Sequence, residues 1–432
     1  MFRDRETDTR KFTSGAGLFP GDKALPVREA YDVIMSHLPA PVAEKVPLMR
    51  SLGLVLAEDI VADMDMPPWD KAAMDGYAIR SADCQKSPTE LKVVDVLPAG
   101  KVSKRAIGAG EAIRIMTGAP VPQGADAVVP VERTRGIGDL VHILEAVPPG
   151  AHIARKAEDI RTGDVLVRGG SVVRPQEIGI MASVGYHAPK VFRRPTVAVL
   201  TTGDELVEVD KKPGEGQIRN SNAYSIASQI AAIGVPYAYL GIVPDVAEAL
   251  TARLEQAMKA ADVVLLTGGV SAGEYDLVED VMKSKGIEII FERVNIKPGR
   301  PMVFAKSPDK LLFGLPGNPV STFVTFEVFL RPALGRMMGN RLMDRPVVDA
   351  ELSVNFGKPQ ARDQYCPARL TWVKDRYIVA PLESHGSADL RSISQANSLL
   401  MIPAGEGPYP VGRVVRVMTL DEDQQMSGVM GA

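Results

Sequence analysis

Three strand-like runs in the middle of the chain end in acids. TVAVLTT is followed by Gly203-Asp204-Glu205, YAYLGIV by Pro244-Asp245, and DVVLLT by GGVSAGEYD, which closes on Asp276. A fourth, LLFGL, runs into PGNPVS. Open parallel sheets bind ligands beyond the carboxyl ends of their strands, so these ends share one rim. Carboxylate oxygens there suit magnesium, with Glu205, Asp245 and Asp276 as its candidate ligands. The glycine-rich loops suit an anion. Gly268, Gly269, Ser271 and Gly273 of GGVSAG lead into a helix whose first N–H groups meet a phosphate unobstructed. In PGNPVS, Pro316, Gly317, Asn318 and Ser321 are candidate contacts: Asn318 is placed to cap a helix, Pro319 fits its first turn, and Gly317 permits close approach.

In RVNIKPGRP, Pro298 and Pro301 restrict the backbone and hold Arg293, Lys297 and Arg300 on a stiff loop, a site for a compact oxyanion. Each stretch also has a bland reading. TGD makes a good turn, GGVSAG a connector, and RVNIKPGRP a solvated charged loop. Their convergence on one edge favours the functional reading, because turns alone do not require carboxylates at three strand ends. Neither a GK[ST] sequence nor GxGxxG is present, so a mononucleotide phosphate with a divalent metal fits better than a dinucleotide. A further question attaches to WDKAAMDGYAIR, residues 69–80, where Asp75 precedes a glycine and an aromatic. Asp-Gly alone satisfies a turn, so Asp75 is a candidate for a second task.

The elements that position these residues fall into groups. Residues 1–24 read as a disordered lead-in, with both charge signs and no apolar run, neither signal nor anchor. In LPVREAYDVIMSHL, Val27, Ala30, Tyr31, Ile34 and Leu38 share one helical face. Residues 25–66 with 151–193 read as a mixed, discontinuous domain, and 67–150 as a small β domain of short runs broken by Gly and Pro. From 194 to 342 strands alternate with helices, the pattern of a parallel sheet covered on both faces. Residues 343–432 return to β character as a small barrel or sandwich. The fold class expected is therefore multidomain α/β plus β.

A chain of 432 residues is too long for one core. With 45% hydrophobic and 24% charged residues it has the balance of a soluble globular protein. A net charge of −3 argues against a nucleic-acid surface, and no apolar run approaches a membrane span. Its two cysteines, Cys84 and Cys366, lack metal-ligand spacing and read as reduced thiols of a cytoplasmic protein.

AMDGYA, IRIMTGAPVP, AEDI, TTGDEL, GGVSAGEYD, IKPGRP and GLPGNPVS occur here in one order. Together, from Leu25 to the C-terminus, they resemble the molybdopterin molybdenumtransferases, the MoeA family that includes the C-terminal domain of gephyrin. The resemblance implies a central molybdopterin-binding, MogA-like α/β domain and a C-terminal β-barrel-like domain. It implies magnesium-dependent insertion of molybdenum from molybdate into adenylylated molybdopterin, with release of AMP. It further implies a homodimer in which Asp75 is a carboxylate delivered across the subunit interface, with Gly76 supplying the turn that projects it. Thr117 and Asp159 match other functional positions. Glu205, Asp245 and Asp276 match acids of the nucleotide and metal site, and Lys297 and Ser387 match positions near molybdate. The partners implied beyond the substrates are the molybdopterin adenylyltransferase and downstream molybdoenzymes.

Two departures stand out. Arg293 occupies a position where many members have lysine, and Tyr365-Cys366-Pro367 places proline where members carry arginine. Arg369, on the same face of a strand, is the expected substitute. Two other readings stay open: a paralogue that binds molybdopterin as a scaffold without insertion, and an insertase preferring tungstate.

Overall fold

The chain's computed structural model describes residues 24–268 and 277–420, which fall into two units: Glu44–Val191, and 24–43 with 192–268 and 277–420. At the heart of the first is a six-stranded sheet in the order Ala127–Pro130, Gly76–Ile79, Glu111–Ile115, Thr89–Leu97, Leu140–Ile143, Thr134–Ile137. Side chains alternate across it. Tyr77, Ile79, Ala127 and Val129 enter one buried cluster, and Ala78, Val128, Ile113 and Ile115 enter another on the opposite face. Gly76 is needed here for a reason other than the projecting turn expected. It opens the strand itself, and a Cβ on it would stand 2.0 Å from the carbonyl oxygen of Val129.

In the second unit the strands Tyr237–Val243, Val197–Thr202, Val263–Thr267 and Leu311–Leu315 lie side by side and parallel. Alternation again sorts the side chains. Val197, Val199, Val263, Leu265, Leu311 and Phe313 pack on one face with the helices Ser221–Ala232 and Pro319–Thr325. Ala198, Leu200, Val264, Leu266 and Leu312 pack on the other, against Ala247–Ala260 and Leu277–Ser284. The sheet is not wholly parallel. Pro301–Lys306 runs antiparallel to Leu311–Leu315, and Glu288–Arg293 pairs antiparallel to it in turn, because the short connections at 294–300 and 307–310 hold no crossover helix and turn the chain straight back. The helix Val27–Ser36 also belongs here. Its buried residues Val27, Ala30 and Ile34 join the core of Phe304, Phe313 and Phe329, instead of the mixed segment expected to contain it.

Near the C-terminus, Val347–Leu352, Asp363–Val373, Arg376–Pro381, Ser398–Ile402 and Val414–Thr419 pair in a ring that closes where Asp363–Val373 meets Ser398–Ile402. Closure leaves no free edge in this small barrel. Ile296–Lys297 adds to it as a short parallel strand, with Ile296 opposite Asp363 and Lys297 opposite Gln364. The RVNIKPGRP loop is thereby fastened to the barrel.

Two polar clusters brace this unit. Glu327, 2% exposed, accepts from Arg345 Nε at 2.7 Å and from Gln229 Nε2 at 2.8 Å, with Arg331 Nε 4.0 Å away. Removing one partner of such a group strands buried charge, so Glu327→Ala should cost about 3–5 kcal/mol, measured by urea unfolding against Glu327→Gln, which keeps the shape. Asp262, at the start of its strand, receives both Nη atoms of Arg193 (2.8 and 2.9 Å) and the N–H of Thr196 (2.8 Å). The hydrogen bonds from Arg193 hold its carboxyl well below the usual range. A depressed folded value stabilises fully above the unfolded value, ~3.9, and the benefit fades as pH falls from there toward the folded value. The stability gap between the wild type and Asp262→Asn should thus be constant from pH 5 to 7 and narrow as acid is added, by unfolding at matched pH.

Candidate functional site

A cleft of about 910 Å³ lies in the second unit, beyond the carboxyl ends of the parallel strands. Glu205 and Gly268 reach it from two strand ends, and Pro316, Gly317, Asn318 and Ser321 from the loop after Leu315 and the helix it opens. Lys297, Arg300 and Ser387 line it as well. Nine of the residues expected from sequence therefore share one cavity.

Local chemistry explains the convergence. Gly268 has φ +87°, and a Cβ there would lie 2.2 Å from the carbonyl oxygen of Thr202, so only glycine allows the first and third parallel strand ends to come this close. Asn222, in the first turn of its helix, donates through Nδ2 to Gly317 O at 2.7 Å and to Thr267 Oγ1 at 3.1 Å, tying the PGN loop to a neighbouring strand end. Thr322 Oγ1 donates to Pro316 O, closing the same loop from below. Val320 N–H donates to the carbonyl of Ser387 at 3.0 Å, which locks the barrel-side loop onto the start of the helix. Asn222 was not singled out from sequence, since an asparagine at a helix start reads as ordinary capping.

Asp245 sits beside this rim, its N–H donating to Asp204 Oδ1 at 3.2 Å. Burial, and then repulsion from Asp204 and Glu205, push its carboxyl upward. Asp276, Gly269, Ser271 and Gly273 lie outside the described residues. Arg293 and Arg369 are not among the residues lining the cleft. Arg369 is exposed, and its Nη1 donates to the carbonyl of Gln395, at the end of the helix Leu390–Gln395, at 3.3 Å. Two residues along a strand span about 6.6 Å, enough to carry it past the place Pro367 occupies.

In the other unit Asp75 and Thr117 come together, although 42 positions apart. Gly76 pairs with Ile115, and that register brings the two residues beside each other. Thr117 donates to Asp75 Oδ1 through its N–H (2.7 Å) and its hydroxyl (2.6 Å). These bonds, the hydroxyl foremost, lower the Asp75 carboxyl and keep it ionised on an exposed loop. Asp159 is exposed on a nearby loop of the same unit, its N–H donating to Met66 O at 3.0 Å. That loop is anchored by Asp70, which accepts from Lys156 N–H at 2.8 Å and from Arg155 Nη1 at 2.7 Å. The acid opening WDKAAMDGY is therefore the tether, and Asp75 the carboxylate left facing outward.

Known proteins share this organisation. Residues 25–185 match the family described as MoeA N-terminal region (domain I and II), 198–336 a "Probable molybdopterin binding domain", and 349–420 the MoeA C-terminal region (domain IV). A protein of Staphylococcus aureus named molybdopterin molybdenumtransferase is 36% identical over 403 residues, covering 92% of this chain and 96% of its own. One of the same name from Bacillus subtilis is 33% identical over 407 residues, covering 92% and 95%. The crystal structure of the molybdopterin biosynthesis MoeA protein of Pyrococcus horikoshii superposes with a TM-score of 0.80 at 31% identity, over 92% of this chain and all of the other. By sequence and fold alike, the chain belongs to the MoeA family of molybdopterin molybdenumtransferases.

Proposed function

We propose that this protein is a transferase inserting molybdenum from molybdate into molybdopterin, and that the molybdopterin it accepts is adenylylated, AMP being the leaving group. The observation that carries this reading is the cleft, where three strand and loop ends deliver anion-binding backbone and cations to one place. Molybdate is a tetrahedral dianion, and the organic substrate carries a phosphoanhydride and a terminal phosphate. Lys297 and Arg300 offset that charge.

Magnesium belongs to the proposal. Burial, and then repulsion from Asp204 and Glu205, raises the Asp245 carboxyl, and that repulsion is of the kind a dication relieves. Among the described residues no three acidic, histidine or cysteine side chains converge to chelate an ion. One or two of these carboxylates with the substrate's phosphates suit magnesium, which keeps much of its own hydration. When bound, the ion would polarise the anhydride toward cleavage. The protein's groups bind, orient and neutralise.

The same reading makes the protein a cytoplasmic homodimer. Asp75, held ionised by Thr117, is offered by one copy to the cleft of another, and Asp159 acts on the same side. No helix among the described residues is long and apolar enough to cross a membrane. Pro367 is the one feature favouring a binding scaffold without turnover, since it removes a guanidinium from the barrel strand.

Release of AMP from adenylylated molybdopterin, with molybdate and magnesium and followed by chromatography, tests the proposal. The protein should release AMP only when molybdate is present. An intact dimer that leaves the adenylate uncleaved defeats the insertion reading, and retained molybdopterin binding would then mark the scaffold. Asp75→Ala should lower kcat by about 100-fold or more with its thermal midpoint unchanged, and Lys297→Ala should raise the KM for molybdate about tenfold.

A further inference from the structure

The arginine missing at position 367 leaves the barrel side of the cleft short of one guanidinium, and the structure holds another close by. Arg362 stands one residue before the strand Asp363–Val373 and lines the cleft half-buried. Among the described residues it has no hydrogen-bond or ion-pair partner. Arg193, Arg336 and Arg345, also partly buried in this unit, are paired with Asp262, Asp344 and Glu327 respectively. A guanidinium kept half out of water without a counter-charge is costly, and the cost is recovered when a ligand brings the charge.

Register places Arg362 within reach of the same ligand as Lys297. Lys297 pairs with Gln364, two residues beyond Arg362. With strands ~4.8 Å apart and ~3.3 Å per residue, the two Cβ atoms are separated by about 8 Å. An ammonium and a guanidinium on long side chains can close on one tetrahedral oxyanion across that gap. Gln364, directly opposite Lys297, is 8% exposed, and its Nε2 has no acceptor. Of the described lining residues only Glu205 is acidic, against Lys297, Arg300 and Arg362. The balance is positive and unneutralised, as a dianion requires.

We propose that Arg362, and not Arg369, is the guanidinium that grips the oxyanion substrate in this chain, replacing the group that Pro367 cannot supply. The inference rests on the reading of the cleft as the molybdate site. Its test uses the full-length protein, with molybdate binding by equilibrium dialysis and AMP release as a function of molybdate and of adenylylated molybdopterin. Arg362→Ala should raise both Kd and KM for molybdate by about tenfold or more, leaving kcat at saturating molybdate and the KM of the organic substrate within about threefold. Arg362→Lys, which keeps the charge but loses the two-toothed fork, should fall between. Arg369→Ala should shift neither constant. An unchanged molybdate Kd in Arg362→Ala overturns the inference, as does an equal loss for both substrates. A wild type that binds molybdate but releases no AMP refutes the insertion reading alone, and dialysis of the variants still decides the role of Arg362. A wild type that binds no molybdate refutes both.

Discussion

A cation meant for a dianion has to be kept from the protein's own carboxylates. With 50 lysines and arginines against 53 aspartates and glutamates, pairing within the chain is the default, and most partly buried arginines follow it. The cleft is the exception. Its lining comes from strand ends, a helix start and barrel segments, and among the described lining residues Glu205 is the one acid against Lys297, Arg300 and Arg362. Beside the rim, burial and then the charges of Asp204 and Glu205 push the Asp245 carboxyl upward.

That arrangement depends on ordinary packing. Valines and leucines alternating between two apolar clusters hold four strands parallel, and parallel strands necessarily present their carboxyl ends on one edge. Gly268 brings two of those ends into contact, and Asn222 fixes the loop beside them. Little of this is specialised for catalysis, and it explains why residues scattered from 205 to 387 meet.

Much was legible from the residues alone. Alternating strands and helices announced the α/β domain, and short runs broken by glycine and proline announced both β regions; of the three strand-end acids, Glu205 lines the cleft. What escaped the reading was governed by contacts distant in sequence. The one strand that runs against the others, Pro301–Lys306, follows from flanking turns too short for a crossover. The helix Val27–Ser36 joins an aromatic core whose members begin some 250 residues later, a pairing that its own periodicity cannot reveal. Gly76 looked like a turn residue because Asp-Gly usually is one, while its constraint is a carbonyl across the sheet. Arg369 has the right strand parity, but parity does not report how far along the strand a cleft extends. Arg362 carried no signal, since a lone arginine between Ala361 and Asp363 resembles any solvated loop.

The two-residue strand Ile296–Lys297 has a mechanical consequence. It hydrogen-bonds to the barrel while its chain neighbours on either side, Glu288–Arg293 and Pro301–Lys306, are sewn into the α/β sheet. The barrel and the sheet are thus riveted at the very segment that carries the lysine. Sliding one against the other would shear the rivet before it widened the pocket, so the spacing between ammonium and guanidinium is inherited from backbone hydrogen bonds and not from the reach of flexible side chains.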